Sequence, residues 1–294
     1  MIQLPPSPLE LINDPFLSNY PIKLYIKRDD IIHPEITGNK WRKLKYNLIE
    51  ARNTGFNRLM TFGGAFSNHI YATSAAGKEF GFETTGLIRG DELTPQSNIM
   101  LTMSKMNGMD LIFLPRLNYG FKDKITRQYK NDFYVIPEGG SNELAVKGVI
   151  EMMDEIYSEV TPDYVCVASG TGGTLAGVVS GLRGTTEALG FAVLKDKGLL
   201  WNAVAKLVPE SVEFDISTDY IFGNYGKTTP ELIEFIKDFE RRNPTIQLDQ
   251  VYTGKMMFGV YDLIQKGHFK ENSTIVVIHT GGLLGRCKEL DEVN

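Results

Sequence analysis

Cysteine is scarce in this chain, which has 294 residues and only two of them, Cys166 and Cys287. Both stand in or beside apolar segments and lack metal-ligand spacing. That excludes a disulfide-framed fold and a zinc module, and it sets the expectation of two buried thiols in a reducing compartment. Long hydrophobic runs are missing too: no uncharged apolar stretch approaches the ~20 residues that cross a bilayer. Met1 to Pro8 has no basic segment followed by an apolar one, as a secretory leader would. A cytoplasmic protein with no membrane partner is expected. Blocks of like charge are absent as well, with 31 basic residues against 36 acidic ones and a net charge of −5. Such a balance gives nucleic acid no purchase. Neither a fixed-period repeat nor a low-complexity linker interrupts the chain, and no metal-ligand cluster stands out. Small-molecule chemistry is what remains.

The chain does have glycine, 29 residues of it, and alternating patterns. Short β-like runs, Lys23–Ile26, Arg58–Thr61, Thr85–Ile88, Asp110–Leu114, Phe133–Ile136, Tyr164–Ala168, Glu213–Ile216, Asp219–Ile221 and Thr274–His279, read as strands. Segments such as Ser67–Phe80, Gln96–Met106, Ala145–Tyr157 and Met256–Gln265 suit helices. Strands alternating with helices imply parallel sheets covered on both faces, hence an α/β protein. A chain of this length is expected to form two lobes with a ligand cleft between them. The smaller lobe is placed at 45–141 and the larger at 1–44 plus 142–294.

Lys40 is the first residue with a chemical signature. It follows Thr37-Gly38-Asn39 and opens an amphipathic stretch to about Arg52. Burial and cationic neighbours, here expected to be Arg42 and Lys43, would let its amine shed a proton and attack a carbonyl. A plain helix start with solvated basic residues accounts for this segment equally well when it is taken alone.

Three glycine turns change that balance. The apolar strand Tyr164–Ala168 runs into Ser169-Gly170-Thr171-Gly172-Gly173-Thr174 and then into a helix. A strand, a small-residue loop and a helix N-terminus aim unpaired backbone N–H groups at one point, which is a phosphate seat. A dinucleotide fingerprint would need glycine where Leu175 stands, and a Walker loop ending in Gly226-Lys227-Thr228 would need glycine in place of Ile221. The turn Gly63-Gly64-Ala65-Phe66-Ser67-Asn68 precedes an alanine-rich helix. Ser67 or Asn68 can cap that helix, or can offer a hydroxyl, an amide and the helix N-terminus to a carboxylate or phenolate. Pro137-Glu138-Gly139-Gly140-Ser141-Asn142 has the same character. One lysine, one phosphate seat and several donors on separate turns converge on a phosphorylated aldehyde held by an amine.

Gly38-Asn39-Lys40-Trp41-Arg42-Lys43-Leu44, Gly63-Gly64-Ala65-Phe66-Ser67-Asn68, Thr171-Gly172-Gly173-Thr174, Val251-Tyr252-Thr253-Gly254-Lys255 and His279-Thr280-Gly281-Gly282 stand in the order found in a known family. The chain resembles the 1-aminocyclopropane-1-carboxylate deaminase/D-cysteine desulfhydrase family of pyridoxal 5'-phosphate enzymes from about residue 5 to residue 287. The resemblance implies the tryptophan-synthase-β-like fold (fold type II), with two open twisted α/β lobes and the cofactor between them, and a homodimer. It implies that Lys40 holds the cofactor covalently and that Lys43 sits beside its phosphate. Gly170, Thr171, Gly172, Gly173 and Thr174 then form the phosphate loop. Asn68 meets the phenolic oxygen, Ser67 the substrate carboxylate, and Tyr225 and Tyr252 are the active-site tyrosines. Cyclopropane deaminases resemble one another in carrying glutamate and leucine where this chain has Thr253 and Thr280. A threonine hydroxyl at the pyridine nitrogen makes a weaker electron sink than a carboxylate, which suits β-elimination. The expected activity is therefore that of a D-cysteine desulfhydrase, giving pyruvate, ammonia and hydrogen sulfide. In this reading Lys40 is the base, a tyrosine the proton donor, and Thr280 the partner of the pyridine nitrogen. The alternatives are a 1-aminocyclopropane-1-carboxylate deaminase and a weakly active homologue that keeps the cofactor.

Overall fold

The computed structural model describes residues 4–209 and 212–291. In chain order the strands and principal helices are β1 (Leu9–Leu11), β2 (Lys23–Lys27), α1 (Asn39–Asn53), β3 (Arg58–Gly63), α2 (Asn68–Phe80), β4 (Glu83–Arg89), α3 (Ile99–Met106), β5 (Asp110–Leu114), α4 (Lys122–Tyr129) and β6 (Tyr134–Val135). The second half follows with α5 (Glu143–Glu159), β7 (Tyr164–Ser169), α6 (Gly173–Ser180), β8 (Glu187–Ala192), α7 (Lys197–Ala205), β9 (Asp215–Ser217), α8 (Pro230–Arg242), α9 (Thr253–Gln265) and β10 (Thr274–Ile278).

These strands form two sheets. One has six strands in the order β1-β2-β10-β7-β8-β9, and the other has four in the order β5-β4-β3-β6. Every pairing is parallel except that of β1 with β2. All four strands of the smaller sheet lie within 45–141. The lobe boundary expected at 44/45 falls inside α1, which runs on to Asn53.

The six-stranded sheet shows why its central strands read as unbroken apolar runs. Along β10, Ile275 and Val277 enter one core with Ile26 and Cys166. Val276 and Ile278 enter the opposite core with Val165 and Val167. Side chains alternate across a strand, so a strand with helices on both faces must be apolar at every position.

Helix α1 is fixed at its start by backbone geometry. Gly38 has φ +65, and a Cβ there would lie 2.0 Å from the Thr280 carbonyl oxygen, so only glycine fits. The Gly38 N–H donates to the Asp29 carbonyl at 3.0 Å. Below it, the Arg42 guanidinium binds Asp29 at 3.0 Å and Glu155 at 2.5 Å, and Lys27 joins Glu155 at 2.7 Å. This buried network ties α1 to β2 and α5, so Lys40 projects from a rigid element.

Several expectations are corrected. Asp219–Ile221 forms a turn rather than a strand. The short β1 and the glycine-containing β8 were not expected. The helices α4 and α7, in the stretches 115–133 and 194–209, were not among the expected elements either. Cys166 is buried as expected, whereas Cys287 is only half-buried, and both are free thiols. Among the described residues no helix is long and apolar enough to cross a membrane.

Candidate active site

Three βα turns and the start of α1 open onto one cavity of about 900 Å³. Its wall includes Lys40, Lys43, Ser67, Asn68, Gly170, Thr171, Gly172, Gly173, Thr174, Tyr225, Tyr252 and Thr280. The structure thus brings every candidate residue named from the sequence to one space. The reason is topological: the turns lie at the carboxyl ends of parallel strands, where helix N-termini also point.

Lys40 is half-buried, and its Nζ donates to Asn39 Oδ1 at 2.5 Å. Burial lowers its pKa to about 8, and the charge of Asp249 opposes the shift only in part. Arg42 is no neighbour of this amine, because its guanidinium is turned into the buried network with Asp29 and Glu155. Burial, rather than the expected cationic neighbours, frees the amine.

Lys43 lies one turn further on and donates to Ser141 Oγ at 3.0 Å. Burial, and then the Lys40 charge, push its pKa well down. Ser141 Oγ meets Thr171 Oγ1 at 2.7 Å, and Asn39 Nδ2 donates to Thr174 Oγ1 at 2.8 Å. A Cβ on Gly173 would stand 2.6 Å from Ser141 Oγ and 3.0 Å from Lys43 Nζ. The loop is therefore a cradle that a side chain would fill. Ser169 Oγ is buried there without a hydrogen-bond partner. A lysine, four hydroxyls and the N-terminus of α6 around an unfilled corner fit a phosphate group.

Ser67 is the N-cap of α2 and accepts from the Ile70 N–H at 3.3 Å. Asn68 is the first residue of that helix. Opposite them, Tyr252 Oη donates to Tyr225 Oη at 3.2 Å, with the rings edge to face. Burial raises the pKa of both hydroxyls, so both stay neutral at ordinary pH. Thr280 lines the cavity at 8% exposure, and among the described residues its hydroxyl is free of side-chain hydrogen bonds. Thr253 does not reach the cavity. Its hydroxyl donates to Asp249 Oδ1 at 2.7 Å, and it is fully buried.

Two supporting residues, Asp249 and Lys255, were not singled out from the sequence. Asp249 accepts the backbone N–H groups of Val251, Tyr252 and Thr253, each at 2.8 Å, and so fixes the start of α9. An aspartate ahead of a helix is a capping signal legible in the sequence. Lys255 donates to the Ile221 and Asn224 carbonyls at 2.7 and 3.0 Å, holding the loop of Tyr225. No sequence pattern announces that contact, because it joins segments with no fixed spacing. His69 is buried and lines the cavity, with Nε2 at 2.8 Å from Thr61 Oγ1 and Nδ1 unpartnered. Thr61 gives its only proton to the Ile136 carbonyl, so His69 Nε2 is the donor and Nδ1 presents a lone pair.

Comparison with known proteins identifies the family. Residues 2–281 match the family model described as "Pyridoxal-phosphate dependent enzyme". Two relatives bear the name "Putative 1-aminocyclopropane-1-carboxylate deaminase". The one from Pyrococcus horikoshii is 34% identical over 280 residues, covering 89% of this chain and 85% of its own length. The other, from Thermotoga maritima, is 31% identical over 309 residues, covering 97% and 96%. A crystal structure described as an "ACC deaminase homologue" superposes with a TM-score of 0.84 at 32% identity, covering 97% of this chain and 92% of its own. Threonine deaminase isoform 2 of Solanum lycopersicum shares the fold at a TM-score of 0.70 and 17% identity, covering 95% and 80%. The fold is that of the tryptophan-synthase-β-like enzymes, and the residues lining its cavity suit the cofactor of that fold. The chain belongs to the pyridoxal-phosphate dependent enzymes, in the family of the 1-aminocyclopropane-1-carboxylate deaminase homologues.

Proposed function

We propose that this enzyme deaminates a small amino acid, releasing ammonia and a 2-oxo acid, with Lys40 as the residue that carries the cofactor and takes the Cα proton where the substrate has one, as D-cysteine does and 1-aminocyclopropane-1-carboxylate does not. The observation that carries this reading is Lys40 itself: an amine inside the cavity, with its pKa brought down to about 8, on the rigid start of α1. Bound pyridoxal phosphate supplies an electron sink for the pair left at Cα.

The chain's own groups supply the rest. The hydroxyls and backbone donors from Gly170 to Thr174, with Lys43, hold the phosphate. Ser67 and Asn68, at the positive end of α2, orient a carboxylate and the cofactor's phenolic oxygen. Tyr252 gives its proton to Tyr225, which leaves the Tyr225 O–H to face the cavity as a neutral acid. Thr280 offers the ring nitrogen a hydroxyl.

Two substrates fit this cavity. The names borne by the relatives favour 1-aminocyclopropane-1-carboxylate over D-cysteine. D-Cysteine keeps one specific observation: among the described residues the only carboxylate in the cavity wall is Glu138, which is paired with Lys122, while Thr280 has a neutral hydroxyl. A neutral partner leaves the ring a weak sink, and elimination of a good leaving group needs less from it. Incubating purified, cofactor-loaded protein with each substrate separates the readings. 2-Oxobutanoate from the cyclopropane substrate supports the deaminase, and pyruvate with hydrogen sulfide from D-cysteine supports the desulfhydrase. Neither product from either substrate contradicts both. The remaining expectations, a homodimer and a cytoplasmic setting, stay part of this proposal.

A further inference from the structure

The outer end of the cavity carries a guanidinium that the reading above leaves without a task. Arg89 is the last residue of β4, so it stands at the carboxyl end of a parallel strand, and it lines the cavity together with Arg116 and Glu138. The other charges of this rim are neutralised in pairs. Arg116 is joined to Glu92 and Lys122 to Glu138, and Glu138 also accepts the Tyr119 hydroxyl at 2.8 Å. Arg89 has no carboxylate partner among the described residues. Among the described residues its single direct contact with a charged or aromatic group is with the face of Tyr119, at 5.7 Å from the ring centroid. Its Nη2 lies 3.6 Å from where a Cβ on Gly64 would stand, against the turn that ends in Ser67 and Asn68. Burial raises the pKa of the Tyr225 hydroxyl, and the Arg89 charge is among the influences that oppose it, so the guanidinium also acts on the tyrosine side of the cavity.

We propose that Arg89 is a specificity-determining residue that receives a second anionic group, one carried on the substrate side chain, while Ser67 takes the α-carboxylate. A planar fork of N–H donors with no internal acceptor matches a carboxylate or sulfonate in two hydrogen bonds. The surrounding carboxylates are already occupied and do not repel such a group. The substrate class extends in this way from small neutral amino acids to those with a negatively charged substituent on Cβ. The inference rests on the reading of the cavity as an amino-acid site.

Binding of amino acids to the cofactor-loaded protein, followed by the change in its visible absorption spectrum, tests this without requiring turnover. The probes are aspartate, whose side-chain carboxylate cannot leave, and alanine as the uncharged control, each in both enantiomers. The wild type is expected to bind one enantiomer of aspartate at least tenfold more tightly than the matching alanine. Arg89→Gln should reduce that preference to less than twofold, and Arg89→Lys should retain only part of it. Equal affinities in the wild type, or a preference that survives Arg89→Gln, overturn the assignment of Arg89 alone. A spectrum that no amino acid perturbs overturns the amino-acid site and this assignment with it. Should Arg89→Gln fail to fold, Arg89→Lys decides: an unchanged preference there overturns the proposal.

Discussion

The Lys255 ammonium lies 3.0 Å from the Asn224 carbonyl, one residue before Tyr225. A buried charge on α9, the helix that follows Tyr252, therefore holds the loop of its partner tyrosine. With its second bond to Ile221, the lysine replaces water with two carbonyls, and burial brings its pKa to about 8. Lys255→Met should free the loop and cut kcat/KM at least about tenfold, since two charge-assisted hydrogen bonds are worth roughly 1.5–3 kcal/mol each. Cofactor content, read at the visible band, should stay close to wild type. Steady-state kinetics beside that spectrum check the two halves of this prediction.

Asp249 gathers three backbone N–H groups and the Thr253 hydroxyl at the start of α9. Asp249→Ala removes the cap and leaves buried donors unpaired. A loss of about 2 kcal/mol in stability is expected, the upper end for helix caps. Denaturant unfolding of wild type and variant measures it, and a loss below about 0.5 kcal/mol contradicts the capping role.

Lys40 should react with the cofactor as the free amine. Its folded pKa is about 8, so the rate of covalent loading by pyridoxal phosphate should rise with pH through 8 and then level off. The same shift links to stability. In the cofactor-free protein the unfolded lysine keeps its proton up to roughly pH 10.4 while the folded one has lost it, so the unfolded chain binds more protons between these values. Stability relative to Lys40→Met therefore climbs as pH rises from 8 toward 10.4. Thermal unfolding of both proteins across that window checks the sign.

Gly173→Ala places a methyl group 2.6 Å from Ser141 Oγ and 3.0 Å from Lys43 Nζ. It should weaken cofactor affinity by at least about tenfold, or roughly 1.4 kcal/mol. Equilibrium dialysis against pyridoxal phosphate measures the change.

Much of this was legible in the sequence for definite reasons. Asp110–Leu114 and Thr274–Ile278 are apolar on both faces in parallel sheets, so they read as strands without tertiary information. Ser67 and Asn68 announce a helix start by their chemistry. The role of Arg42 did not show, because only the fold reveals that Asp29 and Glu155 draw it away from Lys40. Helices α4 and α7 also escaped notice: both lie on the surface, α4 without a single buried residue. Nor does the sequence show that the hydroxyl of Thr253, at a position where the deaminases carry glutamate, is claimed by the Asp249 carboxylate.

The Lys40 assignment is tested most directly by loading the protein with pyridoxal phosphate, reducing it with borohydride and mapping the modified peptide by mass spectrometry. The label is expected on Lys40 alone, and Lys40→Ala should carry none. A label on another lysine, or an unmodified Lys40 in protein that has kept its visible band, would contradict it.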